Sequence, residues 1–162
     1  MFALDQGFPD PVIAAHREFM PEVDLVSIRE IDPRLPDVED DWRILMFLHQ
    51  HERPWDGLVT TDSSMAGLPK ELAVLLQTKL TLVVAEESGH DPVKASGLVL
   101  PGICKRTDPG KAQLWLLRAA QGAGKKPWEQ LRSVAERSGA DVSETYEAEK
   151  LSAQELARPV LG

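Results

Sequence analysis

Leu80-Thr-Leu-Val-Val-Ala85 constrains the fold more than any other stretch of this chain, because only Thr81 interrupts its apolar run. A strand with one wet face alternates apolar and polar residues, whereas near-continuous apolar character suits a parallel strand covered on both faces. The segment before it, Pro69 to Thr78, reads as a helix with Leu72, Leu75 and Leu76 on one side. A helix feeding a doubly covered strand is half of a βαβ unit, and such units imply a mainly parallel sheet with helices on its faces.

The rest of the chain extends this pattern. Phe2-Ala3-Leu4 reads as a short buried strand, closed by Gly7, Pro9 and Pro11. Pro11 suits the first turn of a helix running to Phe19, and Val23 to Ile28 reads as a second strand. Arg29 to Glu39 is a proline-containing acidic loop. Asp40 or Asp41 then caps a helix through Glu52, with Ile44, Leu45, Phe47 and Leu48 as its apolar face. Gly57 to Thr61 is a third strand. Gly97 to Leu100 fits either a strand or a helix end, and Asp108 caps a helix through Ala120. The expected fold is therefore an α/β open three-layer sandwich around a mainly parallel sheet of 4–5 strands, spanning residues 1–121. Gly122 to Pro127 reads as a hinge, and residues 122–162 as a peripheral helix and polar tail.

Composition narrows the function. The 162 residues carry 26 acidic and 18 basic side chains, a net charge of −8, so binding to nucleic acid by bulk charge alone is disfavoured. The single cysteine, Cys104, allows no internal disulfide and no cysteine-based zinc cluster, which fits a reducing cytoplasm. No apolar run approaches the length of a membrane span, and no basic-then-apolar leader is visible.

Three aspartates stand where elements meet. Asp5 follows the first strand, Asp62 follows the third, and Asp41 opens the helix that leads back to it. In open parallel sheets the carboxyl ends of neighbouring strands converge on one crevice. Carboxylates delivered there from separate segments can hold a hard divalent cation through oxygen. Asp40 is an alternative to Asp41 as such a ligand. Asp41 and Asp62 also have plainer readings, as a helix cap and as the start of a turn.

The order Leu4-Asp-Gln-Gly-Phe-Pro9, Asp41-Trp-Arg-Ile-Leu45 and Leu58-Val-Thr-Thr-Asp-Ser-Ser-Met65 resembles the PIN-like superfamily, in particular the short group related to the C-terminal domain of Mut7-type proteins. The resemblance covers roughly residues 1 to 118. It implies a metal-dependent endoribonuclease, with Asp5, Asp41 and Asp62 holding Mg²⁺ or Mn²⁺, and the toxin half of a toxin–antitoxin pair. RNA would be the substrate, a protein antitoxin the partner and a homodimer a candidate assembly, with no membrane involved. The alternative expectation is a catalytically degenerate PIN-like module that binds RNA or a protein. Gln6, where such sequences often place a second acid, favours it.

Around the three acids, the Thr61 hydroxyl is the candidate to orient a carboxylate or the attacking water, while Thr60 reads as a β-branched strand residue. Ser63 is a candidate phosphate donor, and Ser64 reads as a turn residue. Asp91 reads as a helix cap with ligation as its alternative, and His90 as a candidate proton shuttle. Glu18 and Glu30 are candidates for a fourth acid. His16, His49 and His51 read as structural. Lys105, Arg106, Lys111, Lys125 and Lys126, with Lys94 and Arg118, are expected either on a solvated surface or as a phosphate-holding rim beside the acids. Trp42, Trp55, Trp115 and Trp128 are candidates to stack bases, with packing against the sheet the first reading of Trp42 and Trp115.

Overall fold

The computed structural model describes the chain apart from residues 7, 9, 20, 22–23, 87–90, 92–93, 96, 100–109, 119–121 and 162. For residues 10–12, 15, 19 and 122–125 it describes the backbone alone. Six strands form one sheet: β1 (Phe2–Leu4), β2 (Leu25–Ser27), β3 (Gly57–Thr60), β4 (Thr81–Ala85), β5 (Gln113–Leu117) and β6 (Gly122–Lys125). Their order is β2-β1-β3-β4-β5-β6. The first five are parallel, and β6 joins β5 antiparallel. The helices that bear on the site are α1 (Asp10–Phe19), α2 (Ile28–Ile31), α3 (Asp41–Gln50) and α4 (Pro69–Thr78). Three more close the chain, at Pro127–Arg137, Val142–Glu149 and Ala153–Ala157.

Period-two alternation along each strand builds two cores. Ala3, Leu58, Leu82, Val84, Leu114 and Leu116 face one side, where they meet Ile44 and Leu45 of α3, Leu72 and Leu75 of α4, and Leu131. Phe2, Leu4, Val59, Val83, Ala85 and Leu117 face the other, with Ile13, Ala95 and Val99. The result is the three-layer α/β arrangement expected from the doubly apolar β4. Among the described residues no helix is long and apolar enough to cross a membrane.

Three expectations are corrected. The helix expected from Asp108 to Ala120 is instead β5, because Leu114, Trp115, Leu116 and Leu117 each find a layer to face beside β4. The helix could not have run through Gly110, whose φ is +84°. The glycine-rich stretch expected to be a hinge is the edge strand β6, held by backbone pairing of Gly122 to Lys125 against Leu114 to Leu117. Residues 122–162, expected as a peripheral helix and polar tail, place Leu131 and Leu151 in the core. Residues 97–99 are helical, which decides between the two readings of Gly97 to Leu100; Leu100 itself lies outside the described residues.

Candidate active site

The sheet order sets where the site lies. From β1 the chain leaves through α1 to β2 on one side, and β3 continues through α4 to β4 on the other. This reversal makes the carboxyl ends of β1 and β3 the switch-point crevice, where open α/β sheets hold their ligands.

Alternation decides what points into it. Leu4 pairs with Val59, so the next residues along, Asp5 and Thr60, lie on the same face as Ala3 and Leu58, beneath α3 and α4. The Asp5 backbone N–H donates to the Val59 carbonyl at 2.9 Å, which carries the pairing one residue past β1. The Thr60 hydroxyl donates to Asp5 Oδ2 at 2.8 Å and accepts from the Asp62 backbone N–H at 3.0 Å. One fully buried side chain thus fixes the carboxylate of Asp5 and the path of the chain into Asp62. Thr61, expected to fill that role, is half-buried just past the strand end, and Thr60 takes it because its side chain falls on the crevice face. Asp5 Oδ1 also accepts from the Gln6 backbone N–H at 2.6 Å.

Asp62 is exposed, and its Oδ1 accepts from the Ser64 backbone N–H at 2.7 Å, capping the 3-10 turn Ser63–Ala66. The turn reading of Asp62 therefore holds, with Oδ2 still available to a ligand. Ser63 is exposed within that turn.

α3 runs back toward the start of β3, so its amino end stands at the crevice. Asp40 occupies the cap position without a side-chain capping bond, and Asp41 is the first helical residue. Neither carboxylate is engaged as a cap. Burial pushes the Asp41 carboxyl above the ordinary aspartate value, and the negative charges of Asp5, Asp62 and Asp40 push it further. The charges of Asp5, Asp62 and Asp40 thus reach the Asp41 carboxyl across the crevice.

A fifth acid was not legible in the sequence. Glu71, in the first turn of α4, is only 6% exposed. Its carboxyl is raised by burial first, and also by the charges of Asp41, Asp40 and Glu149. An acid in a first helical turn looks like ordinary dipole complementation. The available signal was its register, since Glu71 lies on the same stripe as buried Val74, Leu75 and Thr78. A carboxyl whose native value is raised supports stability below its ordinary value and withdraws that support as pH rises through the raised one. Glu71→Gln is therefore expected to unfold at a higher temperature than wild type at pH 8, with the gap closing toward pH 4. Thermal melts across that range check it, and a constant gap would contradict it.

The remaining candidates lie apart. Asp91 Oδ1 accepts from the Lys94 backbone N–H at 3.1 Å, the geometry of a helix cap. Glu30 is exposed and paired with Arg17 at 2.5 Å, and Glu18 is exposed on α1. None of these three figures among the charges acting on Asp41. His90, Lys105 and Arg106 lie outside the described residues, as does the Lys125 side chain. Arg118 pairs with Glu86 at 2.5 Å. Lys111 precedes β5 and Lys126 follows β6, so both stand at the opposite edge of the sheet, and the rim expected beside the acids does not include them. His16 is buried, and Trp115 packs on the second core. Trp42 lies under the Lys70 ammonium, 5.3 Å from the ring centre.

Among the described residues, no three histidine, cysteine, aspartate or glutamate side chains close to the spacing that encloses an ion. The chemistry of the donor set still suits a hard cation, being all oxygen and mutually repelling, and Asp5, Asp41 and Asp62 could hold one. Compared with protein-family models, with curated proteins and with solved structures, the chain gives no match.

Proposed function

We propose that this protein is a PIN-like ribonuclease dependent on Mg²⁺ or Mn²⁺, hydrolysing RNA phosphodiester bonds at the carboxyl ends of β1 and β3. What supports the reading is the placement of Asp5, Asp62 and Asp41 at the ends of β1 and β3 and the start of α3, beside the switch point of the sheet. When bound, a divalent ion supplies a charge sink for the phosphate and lowers the pKa of a water nucleophile. The chain's own part is to hold the oxygens still. Thr60 fixes Asp5, the turn at Ser64 fixes Asp62, and the first turn of α3 delivers Asp41. By analogy with PIN-like proteins the reading extends to a cytoplasmic toxin held by a protein antitoxin, with a homodimer as the candidate assembly.

A module that binds RNA or protein without cutting is the second reading. It is favoured by the spacing of the acids, which encloses no ion among the described residues, and by the net charge of −8. Mn²⁺ calorimetry on wild type and Asp62→Asn, followed by RNA cleavage in the same buffer, separates the two. Binding and cutting by wild type, both lost in the variant, are expected; neither in wild type would sink the nuclease reading.

Thr60→Val tests the positioning role. It preserves shape and strand propensity while removing the donor to Asp5 and the acceptor for Asp62. Groups that orient a metal's ligands are worth about 10–100-fold in affinity or activity, and a loss in that range is expected in cleavage rate and Mn²⁺ affinity. Unchanged values would reduce Thr60 to a strand residue.

A further inference from the structure

The open space beside the acids does not end at Asp41. A cavity of about 610 Å³ extends from Asp40 between α3 and the last segment of the chain. Trp42, Arg43 and Met46 line it from the helix, and Arg158 and Val160 from the segment. Its size falls within the range of about 300–1,000 Å³ usual for ligand sites.

Two guanidiniums belong to this cavity. Arg158 is exposed, and among the described residues only its backbone is held, by Gln50 and Glu155. Arg43 is half-buried and donates from Nη2 to the Val160 carbonyl at 3.1 Å. One such bond leaves most of the five N–H donors of a guanidinium for another acceptor. Lys70 adds a third positive charge nearby. Its ammonium stands over Trp42, so that ring serves as wall and not as a stacking platform.

Two acids line the same cavity, and neither cancels the guanidiniums. The Glu155 carboxylate accepts from the Ser152 N–H at 2.9 Å and from its hydroxyl at 2.7 Å. Those bonds first, and then the charge of Lys70, hold it below the ordinary glutamate value. Asp40 stands at the crevice end, next to Asp41, where a cation held by the acids would offset its charge.

We propose that this cavity carries the single-stranded RNA flanking the cut, with a neighbouring phosphodiester held by Arg158 and Arg43 and its nucleoside against Met46 and Val160. The inference deepens the reading of the acids as the cutting site and rests on it for its direction. Guanidinium forks match the oxygens of a phosphate. Apolar wall between the charges suits a base or ribose, and the cavity meets the crevice where the scissile phosphate would lie. An acidic peptide would answer the guanidiniums but gain nothing from that continuity. Arg158 also lies beyond residues 1–118, which carry the family resemblance, so its role is particular to this chain.

The test is fluorescence anisotropy of a labelled six-nucleotide RNA in EDTA, on wild type, Asp62→Asn, Arg158→Glu and Arg132→Glu. Arg132 is exposed on the helix Pro127–Arg137 and lines no part of the cavity, so it controls for net charge. Expected are binding by wild type, no weaker binding by Asp62→Asn, a change within about twofold in Arg132→Glu, and a loss of about tenfold or more in Arg158→Glu. Equal melting temperatures show that lost binding is not lost folding. Should Arg158→Glu melt lower, Arg158→Lys, which keeps the charge, must bind more tightly than it does. No binding by wild type, equal binding by Arg158→Glu, an equal loss in Arg132→Glu, or competition by hexaglutamate as strong as by unlabelled RNA would overturn the proposal. Cleavage in Mn²⁺ separates the two readings. Wild type that binds as expected but never cuts loses the nuclease reading and keeps the cleft as that of a non-cutting module. Wild type that cuts, beside an Arg158→Glu that binds and cuts equally well, keeps the nuclease and loses the cleft.

Discussion

Gly57→Ala is expected to cost about 3 kcal/mol or more of stability, or to prevent folding, because the added methyl has nowhere to go. Gly57 opens β3 and pairs with Thr81 of β4. A Cβ built there would lie 1.8 Å from the Thr81 carbonyl oxygen and 3.0 Å from the Phe2 ring. The first obstacle is backbone of a central strand, so it cannot step aside as a side chain would. The neighbourhood is also tied down. The N-terminal ammonium pairs with Asp56, the Asp56 N–H donates to the Met1 carbonyl at 2.8 Å, and the Thr81 N–H donates to the Asp56 carbonyl at 2.8 Å. Separating β3 from β4 would break the central pairing of the sheet that carries Thr60. Urea unfolding followed by circular dichroism gives the answer, and a loss under about 1 kcal/mol would contradict the close approach.

Asp41→Asn is expected to move activity and stability in opposite directions. Groups that only orient a metal's ligands are worth about 10–100-fold, so under the proposed reading, in which Asp41 itself holds the ion, the change should lower metal-dependent cleavage by at least about 100-fold. The same change should raise the melting temperature at neutral pH. Burial and then the charges of Asp5, Asp62 and Asp40 raise the native value of Asp41. Its stabilising contribution is therefore complete below the ordinary aspartate value and is lost as pH rises through the raised one. Asparagine carries no charge to bury, so the variant's advantage should appear on the alkaline side and vanish in acid. Added Mn²⁺ should stabilise wild type far more than the variant. A variant that cuts RNA at the wild-type rate would remove Asp41 from the site, and one that melts lower at neutral pH would remove the repulsion argument.

The parts of this fold that could be read from the chain are those where pattern and burial agree. β4 is apolar but for Thr81 because both its faces are covered, and α3 and α4 show apolar stripes where they pack on the sheet. β5 was lost because a short apolar run does not tell strand from helix, and a helix could be drawn through Leu114 to Leu117 as well as a strand. β6 was lost for a different reason. Its Gly-Ala-Gly-Lys sequence argues for a turn, and only backbone pairing with β5 overrides that preference. At the site, Asp5 and Asp62 were legible as charged residues at strand ends. The division of labour between Thr60 and Thr61 was not, since it depends on which residue carries the alternation one step beyond the pairing of Leu4 with Val59. Glu71 was hidden by its ordinary place in a helix start.

The long-range bonds that close the helical layer have a kinetic meaning. Gln77 both donates to the Leu151 carbonyl and accepts from its N–H, at 2.9 Å each, across 74 residues of chain. Gln50 donates to the Leu156 and Arg158 carbonyls, and Arg43 donates to the Val160 carbonyl from 117 residues away. Contacts so distant in sequence carry the largest loop-closure cost and form late. They are also an edge from which a native protein opens in small, reversible excursions. Two of these tethers begin on α3, the helix whose first residue is Asp41. Amide exchange that quickens along residues 151–160 would therefore be felt at the crevice as a looser α3, tying the last segment to settle to the steadiness of the acids.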